Sequence, residues 1–501
     1  MKIKKVALIT PPYHSGVVES AGTWLNLGFV YIAGALREAG YEVDYYDAMS
    51  LWHKWPDIMK RIESFKPDVV ATTAYTASIV DGQLLLQMAK SINPEIITVI
   101  GNVHPTFCYE ELLEKPDSGI DFVVRHEGER TLVNLLSCLK ANDDPIKVKG
   151  VAFARDGGVI ATPPAPFITD LDSLPTAWDL VEWPIYSYRP KKGSTLAIVS
   201  SSRGCLHNCS FCSQKLFWDR KWRARSAEHF VSELEMLNSR YGVNVAMLSD
   251  ELPTRDRKRW VQILDLISER QPGVKLLMET RVNDILRDED IMDKYVKAGI
   301  EHIYVGVEST SQKTLNLFNK GTKIEQSKRA IDIINRADIV SETSFVLGMP
   351  DDTSEGIENI VELAKHYNPD MAFFLAISPW PYADLYPHLE KYVATKDYRK
   401  YNLVDPVIKP KNMTLKELED DLGKASMKFF MHKFTNLHKL SSWKQKFMLE
   451  VFHLLINHSY LADKMKAMAR EGKNMPPEVR AILKQFGNME KGPHPAIAPI
   501  P

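Results

Sequence analysis

Three of the five cysteines in this 501-residue chain fall within eight positions of one another. They are Cys205, Cys209 and Cys212, spaced C-x3-C-x2-C in Ser201-Ser202-Arg203-Gly204-Cys205-Leu206-His207-Asn208-Cys209-Ser210-Phe211-Cys212-Ser213-Gln214. Cys108 and Cys138 stand alone. A disulfide framework spreads its cysteines and uses an even number, so an odd count with a tight triplet points to metal. On a loop, this spacing lets three thiolates reach three irons of one [4Fe–4S] cube, which ordinarily takes four cysteines. No fourth cysteine is near, so one iron stays open to a substrate or cofactor. Two other uses of the thiols compete: a zinc site with His207 or another residue as fourth ligand, and three unrelated structural cysteines.

The elements around the triplet place it. From Ser194, apolar strands at Leu196–Ser200, Ala246–Ser249, Leu276–Glu279, His302–Val307, Thr343–Leu347 and Met371–Ile377 alternate with helical patterns. Six such repeats, at a spacing of roughly 25–40 residues, predict a partial or full (β/α) barrel. The triplet follows the first of these strands, at the carboxyl end where catalytic groups collect. Upstream, the runs Val6–Ile9, Val43–Tyr46, Val69–Thr73, Ile96–Ile100 and Phe122–Val124 alternate with amphipathic stretches at Phe29–Glu38, Trp55–Phe65 and Asp81–Ile92. That pattern predicts a doubly wound, flavodoxin-like parallel sheet whose ligand sits at the carboxyl ends of its strands. The loops there are Pro11–Gly28, Asp47–Trp52, Thr73–Ser78, Gly101–Cys108 and Arg125–Glu129.

The expected organisation is an α/β chain: a first domain over residues 1–150, a linker over 151–192, a barrel over 193–385 and a helical region over 386–501. The linker is rich in Pro, Asp and Gly and predicts a short hairpin. Met413–Phe486 reads as helical, and the Pro-rich tail Gly492–Pro501 as frayed.

Hydrophobic residues are 45% and charged residues 25%, which excludes a disordered, collagenous or disulfide-scaffold protein. Lys+Arg of 63 against Asp+Glu of 64 gives no basic field for nucleic acid or acidic lipid. Met1–Thr10 is too short in apolar residues for a secretory segment and reads as a first strand. No apolar run nears the roughly 20 residues that span a bilayer. The expectation is a cytoplasmic protein without a transmembrane segment or nucleic-acid partner, with peripheral membrane contact left open.

C-x3-C-x2-C with Phe211 before the last cysteine resembles the signature of radical S-adenosylmethionine enzymes. The resemblance spans the barrel. Tyr304-Val305-Gly306-Val307-Glu308-Ser309 is similar to the family's fourth-strand G-[IV]-E-S element, Thr280-Arg281-Val282 to its third-strand T-R-V, and Ser344–Pro350 to its fifth-strand G-x-P turn. It implies that the open iron chelates the amino and carboxyl groups of S-adenosylmethionine, whose reductive cleavage gives a 5′-deoxyadenosyl radical. It also implies a cofactor wall of Phe211, Arg281, Glu308 and Ser309. The family's G-G-E stretch is absent; Ser249-Asp250-Glu251-Leu252-Pro253 stands there, so the carboxylate facing the methionine amino group is Asp250 or Glu251. A plain Glu308–Arg281 ion pair inside the barrel is the competing structural use of those two residues.

In the first domain, Gly101-Asn102-Val103-His104-Pro105-Thr106 resembles the G-G-x-H-x-T loop of cobalamin-binding domains fused to radical enzymes. Arg125-His126-Glu127-Gly128-Glu129 resembles their R-G-E-G-E element, and Asp170–Pro175 their linker. The resemblance implies cobalamin contacts from Asp47, Thr73, Gly101, His104, Thr106, Glu127 and Gly128. Methionine synthase-type domains carry D-x-H-x-x-G, whose His ligates cobalt; Asp47-Ala48-Met49-Ser50-Leu51-Trp52 has no His, so no protein ligand is expected from this loop. His104 by itself is more often a loop anchor than a metal ligand. A domain serving only as scaffold or partner surface is the competing use.

A narrower resemblance, to the anaerobic magnesium-protoporphyrin IX monomethyl ester cyclase family, rests on Pro12-Tyr13-His14-Ser15-Gly16, Glu19, Ala21-Gly22, Trp24 and Asp47-Ala48-Met49. It continues in Ile377-Ser378-Pro379-Trp380-Pro381-Tyr382-Ala383-Asp384 and Tyr401-Asn402-Leu403-Val404-Asp405-Pro406. Trp380–Tyr382 would equally serve as a packed barrel closure. C-methyltransferases share much of this plan. The resemblance implies hydrogen removal from an unactivated carbon of a small molecule, a magnesium porphyrin for a cyclase, or a small molecule or peptide for a methyltransferase. It implies an electron donor such as flavodoxin or ferredoxin. A corrinoid- or cluster-carrying electron-transfer or sensor protein is the hypothesis from another class, and the barrel motifs weigh against it.

Overall fold

The computed structural model describes residues 2–15 and 21–458. Gly16 and Glu19 of the cyclase-like motif, the end of the helical stretch towards Phe486 and the Pro-rich tail lie outside them. The first sheet has seven strands in the order Glu42–Tyr46, Lys5–Ile9, Val69–Thr73, Ile97–Gly101, Phe122–Val124, Val151–Arg155, Gly158–Ala161. The first five are parallel and the last two form an antiparallel hairpin. The hairpin expected in the linker therefore exists, but it pairs with Phe122–Val124 and extends this sheet to Ala161.

Strand alternation explains the two layers. Val6 and Leu8 face a core shared with Phe29, Val30 and Leu36 of Leu27–Glu38 and with Leu132 and Leu135 of Gly128–Lys140. Ala7 and Ile9 face the opposite core, with Ile58 and Ile62 of Trp55–Phe65 and Leu85 and Leu86 of Ile79–Ile92. Side chains of period two thus cover both faces of one parallel sheet. The order reverses direction at Lys5–Ile9, and a ligand crevice forms at the carboxyl ends of such a switch point.

The second sheet has six parallel strands in chain order: Leu196–Val199, Val245–Leu248, Lys275–Arg281, Ile300–Gly306, Val340–Leu347 and Met371–Ala376. Among the described residues its first and sixth strands do not pair, so the barrel is partial. Helices such as Ala227–Tyr241, Arg257–Arg270, Ile324–Arg336 and Ser354–Tyr367 cover its outside.

Leu415–Thr435 packs outside the sixth strand, and Ser442–His458 sets Phe447 against Tyr188 and His302. At that strand's amino end, buried Asp370 accepts from Lys444 Nζ at 2.7 Å and from Ser341 N at 3.0 Å. These helices therefore brace the barrel away from its carboxyl face.

The two domains meet face to face. Gly22–Thr23 pairs with Ser187–Tyr188, bringing Trp24 to the barrel mouth. Tyr382 donates or accepts with Thr76 across the interface at 2.9 Å, and its ring tilts 5.1 Å from Phe107. Tyr382 thus straps the Trp380–Tyr382 stretch onto the first domain. No helix among the described residues is long and apolar enough to cross a membrane.

Candidate active site between the two sheets

The cysteine loop is fixed at its root. Asp250 is fully buried and accepts from Ser201 N at 2.7 Å, Ser201 Oγ at 2.7 Å and Ser202 Oγ at 2.6 Å. Gly204 has φ +95°, and a Cβ there would lie 1.9 Å from the Lys221 carbonyl, so no other residue fits. Farther along, Ser210 N donates to Phe318 O at 2.9 Å and Leu385 N donates to Ser210 O at 2.9 Å.

Cys205, Cys209 and Cys212 then line one cleft of about 840 Å³ between the sheets. Burial pushes the Cys212 thiol up to about 12. Cys108 and Cys138 do not line the cleft, nor does His207, whose imidazole burial and nearby cations lower to about 4.

Among the described residues no three His, Cys, Asp or Glu side chains converge as a single ion requires. A cube puts each thiolate on a different iron and leaves the fourth iron open, whereas structural zinc takes four protein ligands and His207 does not line the cleft. The donor set fits the cube.

The third, fourth and second barrel strands supply the rest of this wall. Arg281 donates from Nη1 to Cys209 Sγ at 3.4 Å and from Nη2 to the Lys320 carbonyl, while its buried Nε has no partner. Glu308 sits at φ +64° and pairs with Lys320, Nζ to Oε1 2.6 Å. The competing Glu308–Arg281 ion pair does not form: Glu308 pairs with Lys320, and Arg281 keeps donor capacity towards the cleft.

Glu251 lines the cleft and accepts from Gly204 N at 2.8 Å and Trp218 Nε1 at 2.5 Å. Asp250 does not reach it, because Ser201 and Ser202 consume its oxygens. Phe211 lines the cleft and packs edge-on to Phe318 at 5.0 Å. Ser309 does not line it; its Oγ accepts from Ser311 N at 3.1 Å, ahead of Gln312–Leu317.

On the opposite wall Thr73, Gly101, Glu127 and Gly128 line the cleft. Thr73 Oγ1 accepts from Asn102 Nδ2 at 2.8 Å. Glycines and the apolar side chains of Leu25, Val99 and Val124 leave a surface on which a flat macrocycle fits. Three expected contacts shape loops instead. Asp47 is buried and accepts from Thr10 Oγ1 at 2.8 Å, Ser50 N at 3.1 Å and Tyr186 OH at 2.9 Å. Thr106 Oγ1 donates to Asn102 O at 2.7 Å and accepts from His126 N at 3.0 Å. His104 is fully buried, with Nδ1 3.1 Å from Thr76 Oγ1, and burial lowers it to about 4. A neutral loop anchor results, and it does not line the cleft.

Sequence reasoning missed three features. One is an interdomain ion network: Arg203 reaches Glu127 at 2.8 Å and Glu129 at 2.7 Å, and Arg223 reaches Glu127 at 2.9 Å. The second is Glu279, which lines the cleft from the barrel interior; burial and the carboxylates of Glu251, Glu342 and Glu308 raise it to about 7. The available signal was the one acid in the otherwise apolar run Leu276–Glu279. The third is a cavity of about 450 Å³ deeper in the barrel, walled by Trp24, Trp52, Tyr188, Leu277, Phe373 and Leu375. Trp24, Met49, Met247 and Tyr304 line both spaces.

A three-thiol loop at the mouth of a partial parallel barrel, roofed by a doubly wound domain, defines a radical enzyme with a corrin-binding domain. The B12 binding domain family matches residues 13–136, and the Radical SAM superfamily matches residues 199–364. The chain is 40% identical over 434 residues to the anaerobic magnesium-protoporphyrin IX monomethyl ester cyclase of Rubrivivax gelatinosus, covering 86% of this chain and 78% of that one. It is 32% identical to an uncharacterized methyltransferase of Pyrococcus horikoshii, covering 86% of this chain and 93% of that one. In fold it is similar to the cobalamin-dependent S-adenosylmethionine radical enzyme OxsB with aqua-cobalamin and S-adenosylmethionine bound, at TM-score 0.68 and 18% identity over 97% of this chain and 75% of that one. The chain belongs to the cobalamin-dependent radical S-adenosylmethionine enzymes. Its cofactors are a [4Fe–4S] cluster, S-adenosylmethionine and cobalamin.

Proposed function

We propose that this enzyme carries out the anaerobic oxidative cyclisation of a magnesium-protoporphyrin monomethyl ester-type tetrapyrrole. The observation that carries this reading is the apolar, aromatic-walled cavity beneath the cofactor cleft, in a chain whose relatives at 37–40% identity include cyclases of that ester. When bound, the cofactors supply a hydrogen-abstracting radical and a one-electron acceptor.

The chain's own residues do the rest. Cys205, Cys209 and Cys212 hold the cluster, and Arg281, Glu251 and Phe211 flank S-adenosylmethionine. Glu251 takes the place of the missing G-G-E carboxylate, because its carboxylate stands at the cleft wall. Thr73, Gly101 and Gly128 cradle the corrin. Trp24 and Tyr304, common to both spaces, set the substrate's edge against the cofactors. The apolar walls keep water and competing hydrogen donors from a primary radical. A flavodoxin- or ferredoxin-type protein supplies electrons, and the cytoplasm is the place of work.

The experiment is anaerobic incubation with the magnesium porphyrin ester, S-adenosylmethionine and reductant. Conversion to the five-ring product without S-adenosylhomocysteine supports the reading. C-methylation is the second reading, favoured by the methyltransferase relative that this chain covers over 93% of its length. An inert porphyrin, with S-adenosylhomocysteine formed in step with a methylated compound, would replace the first reading by the second.

A further inference from the structure

The interior of the barrel is layered. On the third strand, Leu277, Glu279 and Arg281 alternate onto one face, because successive side chains of a strand point to opposite sides. Leu277 lines the apolar cavity, Arg281 reaches Cys209 Sγ at 3.4 Å, and Glu279 lies between them. Two residues of strand separate each pair, about 6–7 Å. Across the sheet, Glu279 stands opposite Tyr304 on the fourth strand, and Tyr304 opposite Glu342 on the fifth. Tyr304 lines both spaces, so Glu279 sits at the height where they join.

No hydrogen bond or ion pair holds the Glu279 carboxyl group among the described residues. Neither nearby cation pairs with it: Lys320 pairs with Glu308, and Arg281 donates to Cys209 Sγ and the Lys320 carbonyl. A carboxylate kept in a barrel interior without a partner is costly unless the reaction uses it.

We propose that Glu279 is a catalytic residue, the base that takes the proton released when water adds to the oxidised substrate carbon. This rests on the cyclase reading. Bound S-adenosylmethionine and cobalamin would supply the removal of one hydrogen atom and one electron beforehand, which leaves that carbon cationic. Addition of water forms one C–O bond and breaks one O–H bond, and the proton passes to the Glu279 carboxylate, giving an alcohol and a carboxylic acid. Radical methylation releases no proton at this step and has no use for such a base.

The groups facing Glu279 favour holding a proton near neutrality. They are Asp250 and Glu251 after the second strand, Tyr304 and Glu308 on and after the fourth, and Glu342 on the fifth. Burial first, and then the four carboxylates, raise its proton affinity to about 7. A base of that strength is matched to work at neutral pH.

The test compares wild type, Glu279→Gln and Glu279→Asp as reconstituted holoenzymes with the magnesium porphyrin ester. Iron content and S-adenosylmethionine affinity check that the variants are assembled. Glu279→Gln is expected to keep 5′-deoxyadenosine formation within about twofold and to lose about 100-fold in oxygenated product, the lower range for a lost general base. Wild-type product formation should fall as the pH drops through about 7, and the residual activity of Glu279→Gln should lack that limb. Glu279→Asp should restore part of the rate. Product at the wild-type rate in Glu279→Gln, or parallel loss of 5′-deoxyadenosine and product, would overturn the proposal alone. A wild-type enzyme that leaves the porphyrin ester unchanged would overturn the cyclase reading, and this proposal with it.

Discussion

The Lys320 ammonium lies 2.6 Å from Glu308 Oε1 in the wall of the cofactor cleft, with the two side chains only 7% and 10% exposed. Glu308 holds this position at φ +64°, a region that costs a non-glycine residue about 1–3 kcal/mol. The pair is therefore built against local backbone preference. Removing one partner leaves an uncompensated buried charge, which costs about 3–5 kcal/mol. Lys320→Met should lower the thermal midpoint clearly, and Lys320→Met with Glu308→Gln should recover most of the loss. Equal midpoints for the single and double variants would show that the pair is not coupled.

The Arg203–Glu127–Arg223 network joins the roof to the barrel, and Arg203 and Glu127 are 11% and 7% exposed. Glu127→Gln should destabilise the holoenzyme by about 3 kcal/mol, because two buried guanidinium groups lose their shared carboxylate. Arg37 and Asp179 form a pair at the surface, 44% and 55% exposed, and Arg37→Ala should cost under about 1 kcal/mol. Chemical denaturation of both variants measures the contrast.

Cys205→Ala, Cys209→Ala and Cys212→Ala should each abolish the brown absorbance and the roughly four irons of an anaerobically reconstituted cube. Cys108→Ala and Cys138→Ala should leave both intact, since neither lines the cleft. Stoichiometric zinc without iron in anaerobic preparations would contradict the cluster assignment.

His104 is lowered to about 4 by burial, so its ring is neutral in the folded protein near pH 7. Its depressed value means the folded state binds the proton less well than the unfolded chain. That contribution to stability is full above about pH 6.5 and is lost as the pH falls towards 4. His104→Phe should flatten this part of the stability profile and leave the visible spectrum of bound cobalamin unchanged. A change of the cobalt's nitrogen hyperfine pattern in His104→Phe would contradict its role as a loop anchor.

The thiol triplet and the alternation of strands and helices were legible because both depend on local spacing. Thr280-Arg281 and Gly306–Glu308 were legible as motifs, and the cleft wall does hold Arg281, Gly306 and Glu308. What spacing does not reveal is which way a polar side chain turns. Asp47, Thr106, Asp250 and Ser309 all sit in the expected loops, yet each spends its polar atoms on neighbouring groups, and His104 turns its Nδ1 to Thr76 while its buried Nε2 has no partner. The Val151–Ala161 hairpin was legible, but its partner strand was not, because pairing is a long-range choice. Glu279 was hidden for a related reason: a single acid in an apolar strand becomes conspicuous only when its neighbours offer it no donor.

The most direct measurement is the origin of the oxygen in the product. The enzyme is incubated without oxygen in ¹⁸O-labelled water with the magnesium porphyrin ester, S-adenosylmethionine and reductant, and the product is analysed by mass spectrometry. The account predicts a five-ring product whose ketone carries one ¹⁸O, formed without S-adenosylhomocysteine. A methylated product without ¹⁸O, accompanied by S-adenosylhomocysteine in about equal amount, would contradict it.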